Sequence, residues 1–258
     1  MFLDSLIRRN RRFVEVAIGL HQNGQIPANS CVLDLDTIRD NSELFAREAG
    51  RLGLKTFAMT KQLGRNPRAL GAMVDGGIDS FVAVDMEGAR TIHAAGFNVG
   101  HIGHLVQVPH YESREAAALD ADYWTVFSDT KAREAAAAAH ALGKMQALLA
   151  RIQTQGDIFY MGHEGGFEAS EIVAVAERLQ ALDGAHFAGI TTFPALLFDQ
   201  AERTVKPTPN MKTLEHAAEA LEGAGVHGVE INAPGTTSSV VLQMLADAGA
   251  TQVEPGNG

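Results

Sequence analysis

Lys61 follows the apolar run Thr56-Phe57-Ala58-Met59-Thr60. An ammonium drawn out of water at the end of a buried strand loses proton affinity and can act as an amine nucleophile, the requirement for a Schiff base. A surface lysine at a strand end is the plain alternative. Asn232-Ala233-Pro234-Gly235-Thr236-Thr237-Ser238-Ser239 is a small polar loop running into a helical segment. Backbone N–H groups and hydroxyls at the positive end of a helix hold phosphates, and a simple capping turn is the alternative here. In Val253-Glu254-Pro255-Gly256 a carboxylate follows the final apolar run. It could keep the nitrogen of a bound heterocycle protonated and make that ring an electron sink, or it could pair with a neighbouring Arg or Lys.

His101 and His104 flank Ile102-Gly103. Three residues apart on one strand they would point to opposite faces, with His104 toward the site. Adding His110 and His163, with no Glu or Cys at ligand spacing, leaves no metal site expected. Neither a G-x-S-x-G elbow nor a Walker loop occurs.

The elements that must position these residues follow from the alternation of short apolar runs with stretches of helical period. The runs are Cys31 to Leu35, Thr56 to Met59, Phe81 to Val84, Ile102 to Val106, Tyr123 to Phe127, Gln146 to Ile152, Phe187 to Ile190, Val226 to Ile231 and Thr251 to Val253. Glycines stand where the intervening helices should end, and Asp36 or Thr37, Asp85, Ser128 or Asp129, and Thr236 or Thr237 are cap candidates where helices should start. With the first run set aside, eight βα units predict a (β/α)8 TIM-type barrel over 31–258, preceded by an N-terminal helical extension over 1–30. A doubly wound open sheet is the alternative, weakened as a dinucleotide fold because no G-x-G-x-x-G follows a strand. In a barrel the chemistry sits at the C-terminal strand ends, and all the residues singled out above fall there.

Composition narrows the partners. The chain has 258 residues, 21 Lys and Arg against 31 Asp and Glu, and a formal net charge of −10, which opposes attraction to nucleic acid or anionic lipid. A small molecule is the expected partner. The cluster Arg8, Arg9, Arg11, Arg12 reads as a solvated helix face, and no run approaches the roughly 20 apolar residues of a membrane span. A single cysteine, Cys31, suits a reducing cytoplasm and is expected to pack within its apolar run. Surface scaling predicts about 11,000 Å² of accessible area for one folded unit of this mass.

A lysine after the first barrel strand, Gly235-Thr236-Thr237 after the seventh and Glu254-Pro255-Gly256 after the eighth resemble the alanine-racemase-like barrel of fold-type III pyridoxal-phosphate proteins. Val32-Leu33-Asp34-Leu35-Asp36-Thr37 is similar to the family's lead-in strand, and Gly77-Ile78-Asp79-Ser80-Phe81-Val82-Ala83-Val84 with Glu87 and Ala89 to its second barrel unit. Met59-Thr60-Lys61-Gln62-Leu63-Gly64-Arg65-Asn66-Pro67 and Gly103-His104-Leu105-Val106-Gln107 resemble a bacterial subgroup of uncharacterised racemase-like proteins.

The resemblance implies that Lys61 carries pyridoxal 5'-phosphate as an aldimine and shuttles the Cα proton. Gly235, Thr236, Thr237, Asn232 and Gly256 would then lie around the cofactor, with Glu254 at the pyridine nitrogen. Alanine racemases place an arginine where Glu254 stands; the barrel decarboxylases of basic amino acids place a glutamate. Two further departures concern Glu164, standing where the family supplies an arginine near the phenolic oxygen, and Thr192, standing where many relatives stack a histidine on the ring, a task that passes to His104. The C-terminal β domain of the relatives, with its second acid, is not expected in 258 residues.

The implied activity is pyridoxal-phosphate-dependent racemisation or epimerisation of a small amino-acid substrate, with Lys61 and His104 as the catalytic pair and a homodimer as the assembly the family would allow. Alternatives are a non-catalytic single-domain cofactor-binding or homeostasis protein, an amino-acid lyase or decarboxylase, and an aldolase using Lys61 without a cofactor.

Overall fold

Gln146–Gln153 is buried along almost its whole length, which is the signature of a strand covered on both faces in a parallel sheet. The computed structural model describes residues 2–256 and builds eight such strands into a closed ring. They are β1 (Lys55–Thr56 and Ala58–Met59, two halves broken at Phe57), β2 (Ser80–Val82), β3 (Asn98–Ile102), β4 (Tyr123–Val126), β5 (Gln146–Gln153), β6 (Ala185–Thr191), β7 (Glu230–Asn232) and β8 (Gln252–Val253). Each pairs in parallel with the next. The ring closes because the first half of β1 pairs with β8, Thr56 opposite Val253, while its second half pairs with β2, Ala58 opposite Phe81.

Helices fill the outside and turn an apolar stripe inward. In Asp129–His140 the stripe is Ala132, Ala135, Ala136 and Ala139, at the i, i+3, i+4, i+7 spacing, and all four are buried. Helix starts at Asp85 and Ser128 carry the expected caps, accepting from the N–H of Gly88 at 2.7 Å and of Lys131 at 3.3 Å. The first barrel helix, Leu35–Arg51, begins earlier than its sequence suggests, with Asp34 accepting from Thr37 N–H.

Three expectations are corrected. The run Cys31 to Leu35 is no strand: residues 30–34 are irregular, and Asp34 spends its carboxylate on the cap. Cys31 is exposed rather than packed. The run Ile102 to Val106 is displaced, because β3 ends at Ile102 where Gly103 adopts φ +72°. A Cβ at Gly103 would also lie 2.6 Å from the Thr125 carbonyl oxygen, so the chain leaves β3 by a turn open only to glycine. The sequence also hid a hairpin, Leu196–Asp199 against Thr204–Pro207, inserted after β6.

The extension is two helices, Phe2–Arg9 and Arg11–Gln22, and no residue of the second is buried. It accounts in kind for an accessible surface of 13124 Å², larger than the roughly 11,000 Å² expected of one compact unit. Arg8, Arg9, Arg11 and Arg12 are exposed on it. Residue 1 and residues 257–258, which the sequence assigned to the extension and to the loop after β8, lie outside the described residues. Among the described residues no helix is long and apolar enough to cross a membrane.

Candidate functional site

The C-terminal ends of β3, β4, β6, β7 and β8 converge on a buried polar layer. Glu254, directly after β8, is 3% exposed. Its Oε1 accepts from His101 Nδ1 on β3 at 2.6 Å and from Asn232 Nδ2 at the end of β7 at 3.1 Å. Thr125 on β4 lies 2.5 Å from His101 Nε2, and Thr191 Oγ1 at the end of β6 donates to Asn232 Oδ1 at 2.7 Å. Glu254 Oε2 has no hydrogen-bond partner among the described residues. Burial pushes the Glu254 carboxyl up, but the hydrogen bonds it accepts from His101 and Asn232, among the neighbouring histidines, outweigh it and hold the group below the ordinary carboxylate value.

His104, one residue past the Gly103 turn, is fully buried with both ring nitrogens unpartnered. Its Nε2 is 3.5 Å from Glu254 Oε2, too long and unaligned for a hydrogen bond. Burial drives its pKa down to about 3, Glu254 opposing, while His101, Arg151 and Lys61 add to the fall. His104 is therefore a neutral imidazole at pH 7, with its ring 5.0 Å from that of His101 and 5.6 Å from that of Phe193.

This overturns the expectation that His101 and His104 face opposite ways. Strand alternation stops at Ile102, and the Gly103 turn swings His104 back over His101. One ligand atom from each of His101, His104 and Glu254 lies within 4.8 Å of the others, a spacing a divalent ion can also use. The stated ground for expecting no metal therefore falls, since Glu254 arrives from the far end of the chain. Both nitrogens of His101 are already hydrogen-bonded, so the three side chains form a polar network.

Lys61 sits at the rim. After the buried Thr60 the chain enters a single 3-10 turn, Lys61–Leu63, which lifts the lysine into solvent, the second of the two placements the sequence left open. Among the described residues it makes no hydrogen bond or ion pair, and its charge acts on His104.

The loop after β7 is tightly seated. At Gly235 a Cβ would stand 2.5 Å from Leu196 O and 2.6 Å from Leu196 N, so only glycine fits. Thr236 N–H is spent on Leu196 O at 3.0 Å, leaving its hydroxyl, while Thr237 is buried with Oγ1 3.5 Å from Gly235 O. The helix dipole expected behind the loop is short: a 3-10 turn, Ser239–Val241, precedes only Leu242–Asp247. Gly256 lies against β1, where a Cβ would be 3.0 Å from Gln62 Nε2 and 3.2 Å from Met59 Cβ. Thr192 is buried beneath Phe193 in the chain, accepting from Asn210 Nδ2 at 3.3 Å.

Glu164 is exposed and offers the site nothing, and exposed His110 pairs with Glu134 at 3.3 Å. Arg151, which the sequence places at a strand end but to which it assigns no role, is the largest fully buried side chain among the described residues and stands near the end of β5. Nη2 donates to His163 O at 2.9 Å and Phe193 O at 3.1 Å, the guanidinium stacks 4.9 Å from the Phe127 ring, and Nε and Nη1 are unpartnered. Burial lowers its pKa to about 10, with Asp157 opposing, so it stays charged. The signal was present: an arginine inside the apolar run Leu148-Leu149-Ala150-Arg151-Ile152 must be buried, and a buried charge needs a reason.

A cavity of about 940 Å³ opens at the opposite end of the barrel, beside Lys55, Tyr123 and Glu230, and none of the groups described above lines it. The mouth is where unpartnered buried polar atoms collect.

Comparison with known proteins bears on the fold. The chain is 39% identical over its full length to an uncharacterized protein, YhfX, of Escherichia coli K12, and spans 66% of that relative. Among solved structures it is similar to D-threonine aldolase from Filomicrobium marinum, with a TM-score of 0.68 and 18% identity over 90% of this chain and 62% of the other. It is also similar to PipY of Synechococcus elongatus, solved with PLP bound, with a TM-score of 0.60 and 16% identity over 82% of this chain and 97% of the other. Residues 33–258 match the description "Alanine racemase, N-terminal domain", and the chain belongs to that family of fold-type III barrels.

Proposed function

We propose that this chain binds pyridoxal 5'-phosphate through Lys61 and acts at the Cα of a small amino acid, by racemisation or epimerisation. The observation that carries the reading is Glu254: a buried carboxylate with one oxygen doubly held and the other unpartnered at the mouth asks for a donor, and a pyridinium nitrogen is one. The remaining residues fit the same group. Gly235, Thr237 and the Thr236 hydroxyl form a close loop suited to its phosphate, while Gly256, after β8, lies against Met59 and Gln62. Arg151 holds free N–H donors suited to an anionic oxygen, and Thr192 and Asn232 complete the polar wall.

When bound, the cofactor supplies an electron sink for a bond at Cα. Lys61 supplies the amine that attaches it and removes or returns the Cα proton on one face. His104, neutral and unpartnered, is the candidate to carry a proton at Nε2 or Nδ1. Phe193, His104 and Tyr160 keep water from the mouth, with ring centroids 5.6 Å apart in the pairs His104–Phe193 and Tyr160–Phe193.

A second reading is a non-catalytic cofactor-binding protein, supported by the likeness to PipY, nearly all of which this barrel spans. A lyase is a third, supported by the likeness to an aldolase and by Glu254. Purified protein mixed with pyridoxal phosphate should develop the visible band of lysine-bound cofactor, and Lys61→Ala should abolish it; no band in the wild type ends the cofactor reading. Following Cα hydrogen exchange in deuterated water with a panel of D- and L-amino acids then divides the rest. Exchange without loss of carbon dioxide or aldehyde supports racemisation, and no exchange with any of them supports the binding protein.

A further inference from the structure

His101 is fully buried beneath the ring of His104 and spends its hydrogen bonds on Glu254 and Thr125. A carboxylate can only accept, so the 2.6 Å contact requires the proton on His101 Nδ1. In the neutral tautomer that leaves Nε2 as an acceptor, filled by the Thr125 hydroxyl at 2.5 Å. The amide of Asn232 is oriented in the same sense: Thr191 donates to its Oδ1, which turns Nδ2 toward Glu254 Oε1. Two chains of hydrogen bonds, from β4 through β3 and from β6 through β7, thus end on the same oxygen. The other oxygen, Oε2, is left bare and buried, which is costly unless a donor arrives.

We propose that Thr125 and His101 form a positioning relay that keeps the Glu254 carboxylate ionised and aims Oε2 at the ring nitrogen of the cofactor, so that the shared proton rests on the ring. The inference rests on the cofactor reading above. His101 touches neither cofactor nor substrate, so it is a positioning residue; its effect is where one proton sits. With the His101 donor present, the charged arrangement, carboxylate against pyridinium, is favoured. Without it, the neutral one is favoured, with the proton on Glu254 and the ring nitrogen bare. The titratable groups facing Glu254 are His104 and His101, and of these His101 alone hydrogen-bonds to it; Arg151 and Lys61 act on His104 instead.

The test uses the full chain reconstituted with pyridoxal phosphate labelled with 15N in the ring, whose chemical shift reports protonation without any turnover. The wild type should show a protonated ring nitrogen, and His101→Phe a shift toward neutral pyridine. Affinity should fall by roughly tenfold or more, as expected for loss of a charge-assisted hydrogen bond. His101→Asn, which can place an N–H where Nδ1 stands, should restore the wild-type shift. Thr125→Val, a near-isosteric change that tests the relay even where His101→Phe fails to fold, should move the shift in the same direction by less. With the 1-deaza analogue, which has carbon in place of the ring nitrogen, wild type and His101→Phe should bind within about twofold of each other. A ring nitrogen that stays protonated in both variants overturns the relay and leaves the cofactor reading standing, as does an affinity loss equal for the two ligands. Failure of the wild type to take up pyridoxal phosphate overturns both.

Discussion

Arg151 Nη2 donates to the carbonyl oxygen of Phe193 across 3.1 Å, so the end of β5 is stitched to the loop after β6. The same nitrogen holds the carbonyl of His163, 2.9 Å away, in the segment that crosses the mouth. One buried guanidinium therefore pins two loops, Phe193 of one and His163 of the other standing with ring centroids 6.0 Å apart. It does so with three of its five N–H donors idle, because Nε and Nη1 have no hydrogen-bond partner among the described residues.

A buried cation that is only partly used should be dispensable for stability and needed for binding. Arg151→Met fills similar volume without the uncompensated charge and should unfold in urea within about 2 kcal/mol of the wild type. Arg151→Ala leaves a cavity and orphaned carbonyls and should cost about 3 kcal/mol or more. Both variants should bind pyridoxal phosphate more weakly. If the methionine variant loses as much stability as the alanine variant, the guanidinium is structural and the anion-binding role is lost.

Gly235 is a second position where shape decides. Any side chain there must push the loop off Leu196, whose backbone O and N would be 2.5 and 2.6 Å from the new Cβ. Gly235→Ala should destabilise by about 1–3 kcal/mol. It should also break the Thr236 N–H to Leu196 O bond, and with it the phosphate cradle. The check is cofactor affinity measured beside a thermal melt. An alanine variant with unchanged affinity would remove this loop from the site.

The extension makes the opposite case. Its second helix buries no residue, and Asn10 Nδ2 donates to Asp34 Oδ2 at 2.8 Å where the extension meets the first barrel helix. Asp34 keeps its capping bond to Thr37 without Asn10. Deleting residues 1–22 should therefore shift the urea unfolding free energy of the barrel by no more than about 1 kcal/mol. A loss several times larger would mean that the helices are part of the folding unit.

Much of the barrel was legible because local chemistry and global fold agree. Apolar runs mark strands buried on both faces, and Asp85 and Ser128 cap the helices they precede. What misled was a pattern read past its physical limit. Cys31 to Leu35 has the composition of a strand, but Asp34 starts a helix within it. The Ile102 to Val106 run seemed to continue β3, but Gly103 turns out of it, and with that the facing of His104 was misjudged. Lys61, Gly235, Thr237 and Glu254 could be named because each follows a strand, and Asn232 because it ends one. The Thr125–His101–Glu254 contacts could not, since they join positions 24 and 153 residues apart, the first pair through the pairing of β3 with β4 and the second across the barrel.

His104 sets the response to acid. Its pKa of about 3 in the folded chain lies well below the ordinary histidine value of 6.5, because burial without a hydrogen bond disfavours the imidazolium. Between those values the unfolded chain binds a proton that the folded chain refuses, so folding stability is fully present above about pH 6.5 and drains away as pH falls toward 3. Glu254, held below the ordinary carboxylate value, adds a loss of the same sign as pH falls through its folded value. From pH 7.5 to 4.5 His104 alone should remove on the order of 2–3 kcal/mol, measured as the fall in urea unfolding free energy. His104→Phe, which cannot titrate, should flatten that slope while the wild type keeps it. Equal slopes in the two proteins would mean that water or a protein donor reaches the imidazole in solution, and that His104 is not the isolated neutral base this site contains.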